Sequence, residues 1–202
     1  MKTIAAIGAA SVLVFSLSAS AGTSVPAEPD LVANTCSQCH GDRGISMAPL
    51  FPNLAAQDKD YLITQLKDFR DHKRGDAHAQ AYMWGMADPL TDEVIGNVAD
   101  YFSALPPPAG SKSEDAAEVA AGKKIFEKGV ESEGVPACNA CHGDTAAGTS
   151  TIPRLAGQHR EYLATQILAF RTNQRNNPVM HANVEHITDE QIRDVAAYLS
   201  SL

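Results

Sequence analysis

All four cysteines of this 202-residue chain fall in two short stretches, CSQCHGDRG at residues 36–44 and CNACHGDTA at residues 138–146. Each reads Cys-x-x-Cys-His: Cys36, Cys39 and His40, then Cys138, Cys141 and His142. Thiols and an imidazole at this spacing admit four chemistries, and three fit poorly. A disulfide across two intervening residues closes too short a loop to be a useful staple. A zinc ribbon brings two Cys-x-x-Cys turns together within roughly 15–20 residues, whereas Cys39 and Cys138 are 99 apart. A thioredoxin-type pair needs one motif beside a strand–helix unit. The fourth chemistry is covalent attachment of a c-type haem. Two sulfurs three positions apart on a helical turn match neighbouring substituents on the porphyrin edge, and the histidine behind them lies under the iron. Two copies, using every cysteine, predict two covalently attached c-type haems.

The N-terminus agrees with this chemistry. Met1 and Lys2 lead into the apolar run TIAAIGAASVLVFSLSAS, which closes on Ala19-Ser20-Ala21. The pattern reads as a secretory signal peptide over residues 1–21, cut after Ala21, rather than a retained anchor, because the apolar core is short. The mature protein is expected in the periplasm. Removing that segment leaves 181 residues and moves the formal charge from −8 to −9. An acidic surface argues against nucleic acid as a partner and suits electrostatic steering toward a basic protein. With 44% hydrophobic residues the chain is globular.

The elements that position the motifs are themselves duplicated. FPNLAAQDKDYLITQLKDFR at 51–70 matches IPRLAGQHREYLATQILAFR at 152–171, so that Pro52, Leu54, Gln57, Tyr61, Gln65, Phe69 and Arg70 recur 101 positions on. LTDEVIGNVADYFSAL at 90–105 matches ITDEQIRDVAAYLSSL at 187–202 with an offset of 97, so the first half carries four extra residues within DHKRGDAHAQAY. A unit of 80–90 residues repeated in tandem is the scale of a small domain. The expected organisation is a first domain at 22–105, a Pro-Gly-Ser linker at 106–115 and a second domain at 116–202. Both units read as helical: Tyr61, Leu62, Leu66 and Phe69 form one stripe, and Tyr162, Leu163, Ile167 and Phe170 form its copy. Thr91 and Thr188 should cap the closing helices, with a full capping box only at Thr188 and Gln191. The fold class is all-α.

Histidine fills one axial position of each iron, and methionine opposite it would raise the potential. Met83 and Met180 each stand seven residues before their closing segments, at Leu90 and Ile187, and so share one repeat position. Met86 aligns with Asn183 and is the alternative to Met83; His78 and His181 are remoter alternatives. Met47 lies too close to His40 in the chain to reach the far side of an iron. The other histidines are expected to be solvated, and Trp84 to pack around the haem edge. Pro52 and Pro153 follow the motif histidines by 12 and 11 residues. A backbone carbonyl there would hold the histidine's second ring N–H and fix its tautomer. Arg70, Arg154 and Arg171 either face haem propionates or stand in solvent.

With these residues in view the chain resembles the dihaem cytochrome c4 family over essentially its whole mature length. The resemblance is carried by the two CxxCHG motifs, by PNLAAQ and PRLAGQ followed by YL, and by a methionine seven residues before each TDE helix. It departs at Ala56, where the family has glycine. The resemblance implies two class I cytochrome c domains related by pseudo-symmetry, each wrapped around one haem, with His40/Met83 and His142/Met180 ligation and the carbonyl role for Pro52 and Pro153. It implies an electron carrier rather than an enzyme, shuttling single electrons between a quinol–cytochrome c oxidoreductase and a haem–copper terminal oxidase or other redox partner. Peripheral contact with a membrane is compatible with that role. Two rivals follow from other classes: the haem subunit of a flavocytochrome c sulfide dehydrogenase, bound to a flavoprotein, and a dihaem peroxidase, which needs a longer chain and one open iron.

Overall fold

Apolar residues at helical spacing, separated by Gly- and Pro-containing turns, fold as two helical units of like design. The computed structural model describes residues 29–202 apart from Ser113, so the expected signal peptide lies outside the described residues. In the first unit a helix with a π-type turn at Val32–Cys36 runs into α1 (Ser37–His40), followed by α2 (Lys59–Arg70). A second π-type turn, Ala79–Met83, continues into α3 (Trp84–Ala87), and α4 (Asp92–Ser103) closes the unit. The second unit comprises α5 (Ala116–Lys128), α6 (Asn139–His142), α7 (Arg160–Arg171), α8 (Pro178–Val184) and α9 (Asp189–Ser201). Among the described residues the only β pairing is two isolated bridges, Val130 with Val135 and Thr149 with Ile152. No described helix is long and apolar enough to cross a membrane.

Each unit has its own apolar core. Val32, Leu62, Val98, Phe102 and Leu105 pack together in the first, and Phe126, Leu163, Val195, Tyr198 and Leu199 in the second. Each such side chain contributes roughly 1.5–3 kcal/mol on burial. Helix α5 lies against α9 so closely that a Cβ on Gly122 would sit 1.9 Å from the Asp194 carbonyl oxygen, which restricts this crossing to glycine.

The closing helices begin as their sequences require. Thr91 accepts the Val94 N–H, and Thr188 and Gln191 form the reciprocal box. The end of the preceding helix ties down the same corner in both units. Arg70 donates to the Leu90 carbonyl (3.0 Å) and Asp92 (2.8 Å), and Arg171 donates to the Ile187 carbonyl (2.7 Å) and Asp189 (2.6 Å). These two arginines are therefore spent on positioning α4 and α9. The stretch at 106–115 is laid on the second unit: the Ser111 N–H donates to the Ser200 carbonyl, and Glu114 pairs with Arg160 at 3.0 Å.

Between the units lies a polar, largely buried seam built from repeated residues. Arg74 donates to Gln65 in its own unit and across the seam to Gln166 (2.7 Å) and Tyr162 (3.2 Å). Arg175 mirrors it, donating to Gln166 in its own unit and across to Gln65 (2.6 Å) and Tyr61 (2.8 Å). Each guanidinium also lies over a phenylalanine, Arg74 over Phe69 and Arg175 over Phe170. One carboxylate, Asp76, completes the set by accepting from Arg74 at 2.8 Å.

Candidate functional site

Each Cys-x-x-Cys-His motif forms one short helical turn that ends on a glycine, Gly41 or Gly143, both at φ 77°. That left-handed conformation lets the chain leave the helix immediately after the histidine. The first cysteine of each motif is half-buried and the second exposed. Burial pushes the Cys36 thiol up and the Cys138 thiol up to about 11. His40 and His142 are buried, and burial lowers both below the usual imidazole range, partly offset by a backbone hydrogen bond. That bond runs from His40 Nδ1 to the Pro52 carbonyl (2.9 Å) and from His142 Nδ1 to the Pro153 carbonyl (3.0 Å). A carbonyl can only accept, so the proton is on Nδ1 and Nε2 presents a lone pair. Among the described residues that nitrogen makes no hydrogen bond. A neutral imidazole with a fixed tautomer, beside two thiols three residues apart, is a donor set that fits a c-type haem.

Around the candidate methionines the two units differ. Met83 is half-buried against Phe69, Ala79 and Ala87, and Met180 is half-buried against the second core. Met86 is 54% exposed and Met47 97% exposed. Helix α8 is capped by Asn177, which accepts the Met180 N–H at 3.0 Å. Asp76 stands at the equivalent repeat position and accepts the Ala79 N–H at 3.4 Å. The four extra residues of the first unit therefore follow its cap and add one turn, within the π-type segment, before Met83.

Several expected surface groups are engaged. His72 is stacked on Trp84 at 4.1 Å, and the Trp84 indole donates to the Arg74 carbonyl, so Trp84 serves the first unit's packing and the seam. His159 reaches the Ser46 carbonyl across the seam at 3.0 Å. His181 Nδ1 is bonded to the Phe170 carbonyl at 2.9 Å, and the His78 ring lies 6.3 Å from that of Tyr82. The Arg154 guanidinium, half-buried, has an Nε without a hydrogen-bond partner.

The sequence pattern does not identify the residues that build the seam. Gln57 and Gln65 stand out as recurring residues without a role, and Tyr61 only as a member of the apolar stripe. The signal was the 101-residue offset itself, which continues past Arg70 and Arg171 to pair Arg74 with Arg175.

Comparison with known proteins agrees with this geometry. The family model described as cytochrome c matches residues 29–106 and again 119–202. Cytochrome c-552 of Acidithiobacillus ferridurans is 41% identical over 186 residues, covering 92% of this chain and 81% of that protein. The solved structure of Acidithiobacillus ferrooxidans cytochrome c4 superposes with a TM-score of 0.79 at 43% identity, covering 83% of this chain and 98% of that one. A protein of Thiomonas intermedia described as thiosulfate dehydrogenase electron acceptor is 35% identical over 84% of this chain and 79% of its own. The chain belongs to the cytochrome c family, among the dihaem cytochromes of c4 type. Its two tandem cytochrome c domains carry two covalent c-type haems, and it is an electron carrier, not an enzyme.

Proposed function

We propose that the exported chain, cut after Ala21, works in the periplasm as a shuttle for single electrons between a quinol–cytochrome c oxidoreductase and a haem–copper terminal oxidase or another redox protein. Residues 22–105 form the first domain, 106–115 the linker and 116–202 the second domain. Cys36 and Cys39 hold one haem and Cys138 and Cys141 the other, with His40 and Met83, and His142 and Met180, as axial ligands. The observation that carries this reading is the pair of buried histidines, each with Nδ1 engaged by a proline carbonyl and Nε2 left to coordinate. The inward packing of Met83 and Met180, against the exposure of Met86, supports the sixth-ligand assignment.

When bound, the haem iron accepts and releases one electron. The protein's part is to keep each imidazole neutral and oriented, to supply a thioether that favours the reduced iron, and to hold the two domains in one arrangement through the seam. The likeness to the Thiomonas protein supports a second reading of the donor, in which electrons arrive from a thiosulfate-oxidising enzyme.

Purification from native periplasm tests the proposal. Intact mass after acid–acetone extraction should show the chain from Gly22 with two haems, and the redox partners captured with it should be an oxidoreductase or an oxidase. A mass with one haem, or a stoichiometric flavoprotein bound to the chain, would overturn it, the latter in favour of the flavocytochrome arrangement.

A further inference from the structure

The carbonyl that holds each histidine belongs to a peptide group whose other end is bonded across the seam. The Pro52 oxygen accepts from His40 Nδ1, and the N–H of the same peptide group, on Asn53, donates to Gln158 Oε1 of the second unit at 2.8 Å. Gln158 Nε2 then donates to the Asn53 carbonyl at 2.9 Å, so the glutamine grips this backbone at two points. The mirror arrangement is present. The Pro153 oxygen accepts from His142, the Arg154 N–H donates to Gln57 Oε1 of the first unit at 2.8 Å, and Gln57 Nε2 donates to the Arg154 carbonyl at 3.0 Å. Both glutamine oxygens accept one further N–H, that of Asp58 or His159, which fixes their orientation. Asn53, Gln57 and Gln158 are all buried.

A planar amide transmits polarisation from one end to the other. Donating through N–H makes its oxygen a stronger acceptor, and hydrogen bonds in such a chain strengthen one another in a low-dielectric setting. A stronger acceptor at Nδ1 makes the imidazole more basic, and a more basic ligand stabilises oxidised iron. We propose that Gln57 and Gln158 are positioning residues acting in trans: each domain's glutamine, through one peptide group of the other domain, sets the basicity of that domain's haem-binding histidine and so the potential of its haem. This rests on His40 and His142 being the haem ligands.

The test uses the full-length holoprotein with each haem's potential measured by spectroelectrochemistry. Gln158→Met, close in volume, removes the acceptor and should raise the potential of the first haem, although the substitution is in the second domain. Gln57→Met should raise that of the second haem. Gln158→Glu keeps an oxygen acceptor for the Asn53 N–H and adds negative charge while giving up the donation to the Asn53 carbonyl, so through the acceptor alone it should return the first haem to the wild-type value or below. In the reduced diamagnetic protein, the His40 Nδ1 proton should exchange faster with solvent in Gln158→Met and at the wild-type rate in Gln158→Glu. A shift confined to the mutated domain's own haem, or unmoved potentials with unchanged Nδ1–H exchange, would overturn the proposal. Failure of the ligand reading shows separately, as His40→Gly leaving the first haem's spectrum unchanged.

Discussion

The two faces on which each haem would be held match between the two units to different degrees. On the histidine side the copies are near-identical: the same turn, the same glycine at φ 77°, the same proline carbonyl at 2.9 or 3.0 Å, the same glutamine reaching across the seam. On the methionine side they diverge. Met83 follows a π-type turn beside a Trp84–His72 stack, under a charged cap at Asp76; Met180 sits on regular helix under a neutral cap at Asn177. Parts that would satisfy a fixed covalent geometry, and that also hold the partner domain, are constrained together. Parts that would serve one iron alone are free to make the two haems unequal.

The largest effects should come from the methionine side and stay within one domain. Met83→Ala and Met180→Ala should each lower the potential of one haem and leave the other in place, since axial identity and surroundings span about 0.8 V overall. The weak far-red band from methionine-to-iron charge transfer should fall by about half in either single variant. Met86→Ala should leave band and potentials intact. Loss of the band in Met86→Ala with retention in Met83→Ala would transfer the ligand role to Met86 and break the alignment of the two units.

Next in size is the seam, where the comparison turns on one carboxylate. Arg74 and Asp76 have side-chain exposures of 7% and 2%, so removing one partner leaves a buried charge. Arg74→Ala should cost about 3–5 kcal/mol in denaturant unfolding of the oxidised holoprotein. The Arg74→Ala, Asp76→Asn double variant should recover part of it, because asparagine already occupies the equivalent position at Asn177. Burial alone would raise the Asp76 carboxyl, but the charge and hydrogen bond of Arg74, with Arg175 behind, outweigh burial and hold it below the ordinary carboxylate range. A depressed folded value means that its contribution is complete above the unfolded value of about 3.9 and is lost as pH falls from there through the folded value. Asp76→Asn should therefore flatten the stability curve below about pH 4 and leave its shape unchanged near neutrality.

Much of the candidate site stands out in the sequence because covalent attachment would impose spacing on neighbouring residues. The cysteines, His40 and His142 lie within single turns, and the proline carbonyls lie a dozen residues on, on a stretch whose repetition drew attention to it. The methionines needed the repeat to sort them, since thioethers also fill cores. The seam was not legible. Gln57 lies in the turn before α2 and Gln65 on α2 itself, where polar residues look ordinary until a second copy is turned against them, and Tyr61 reads as part of the apolar stripe rather than as a hydroxyl donor and acceptor across a seam. Arg74 and Arg175 lie just past the helix, where sequence pattern gives no direction. The π-type turns escaped too, since the helices that hold them are too short for a change of register to show in the apolar spacing.

The smallest effect should also be the most diagnostic, because one backbone position should respond with opposite signs in the two domains. Ala56 and Gly157 are repeat equivalents, and each donates its N–H to the closing helix of its own unit, to the Phe102 and Leu199 carbonyls at 3.0 Å. Both are left-handed, at φ 55° and 72°. Glycine takes that conformation freely, whereas a Cβ costs roughly 1–2 kcal/mol. Ala56→Gly should therefore stabilise the first domain by about 1 kcal/mol after the entropy glycine loses on folding. Gly157→Ala should destabilise the second by more than that, since its Cβ would also meet the Pro108 carbonyl oxygen at 2.9 Å. The chain has one tryptophan, Trp84, so its fluorescence reports opening of the first domain, while Soret absorbance reports both. In urea, Ala56→Gly should move the fluorescence midpoint upward, and Gly157→Ala should lower the absorbance midpoint more than the fluorescence midpoint. If Gly157→Ala lowers both signals equally, the seam makes the two domains unfold as one body.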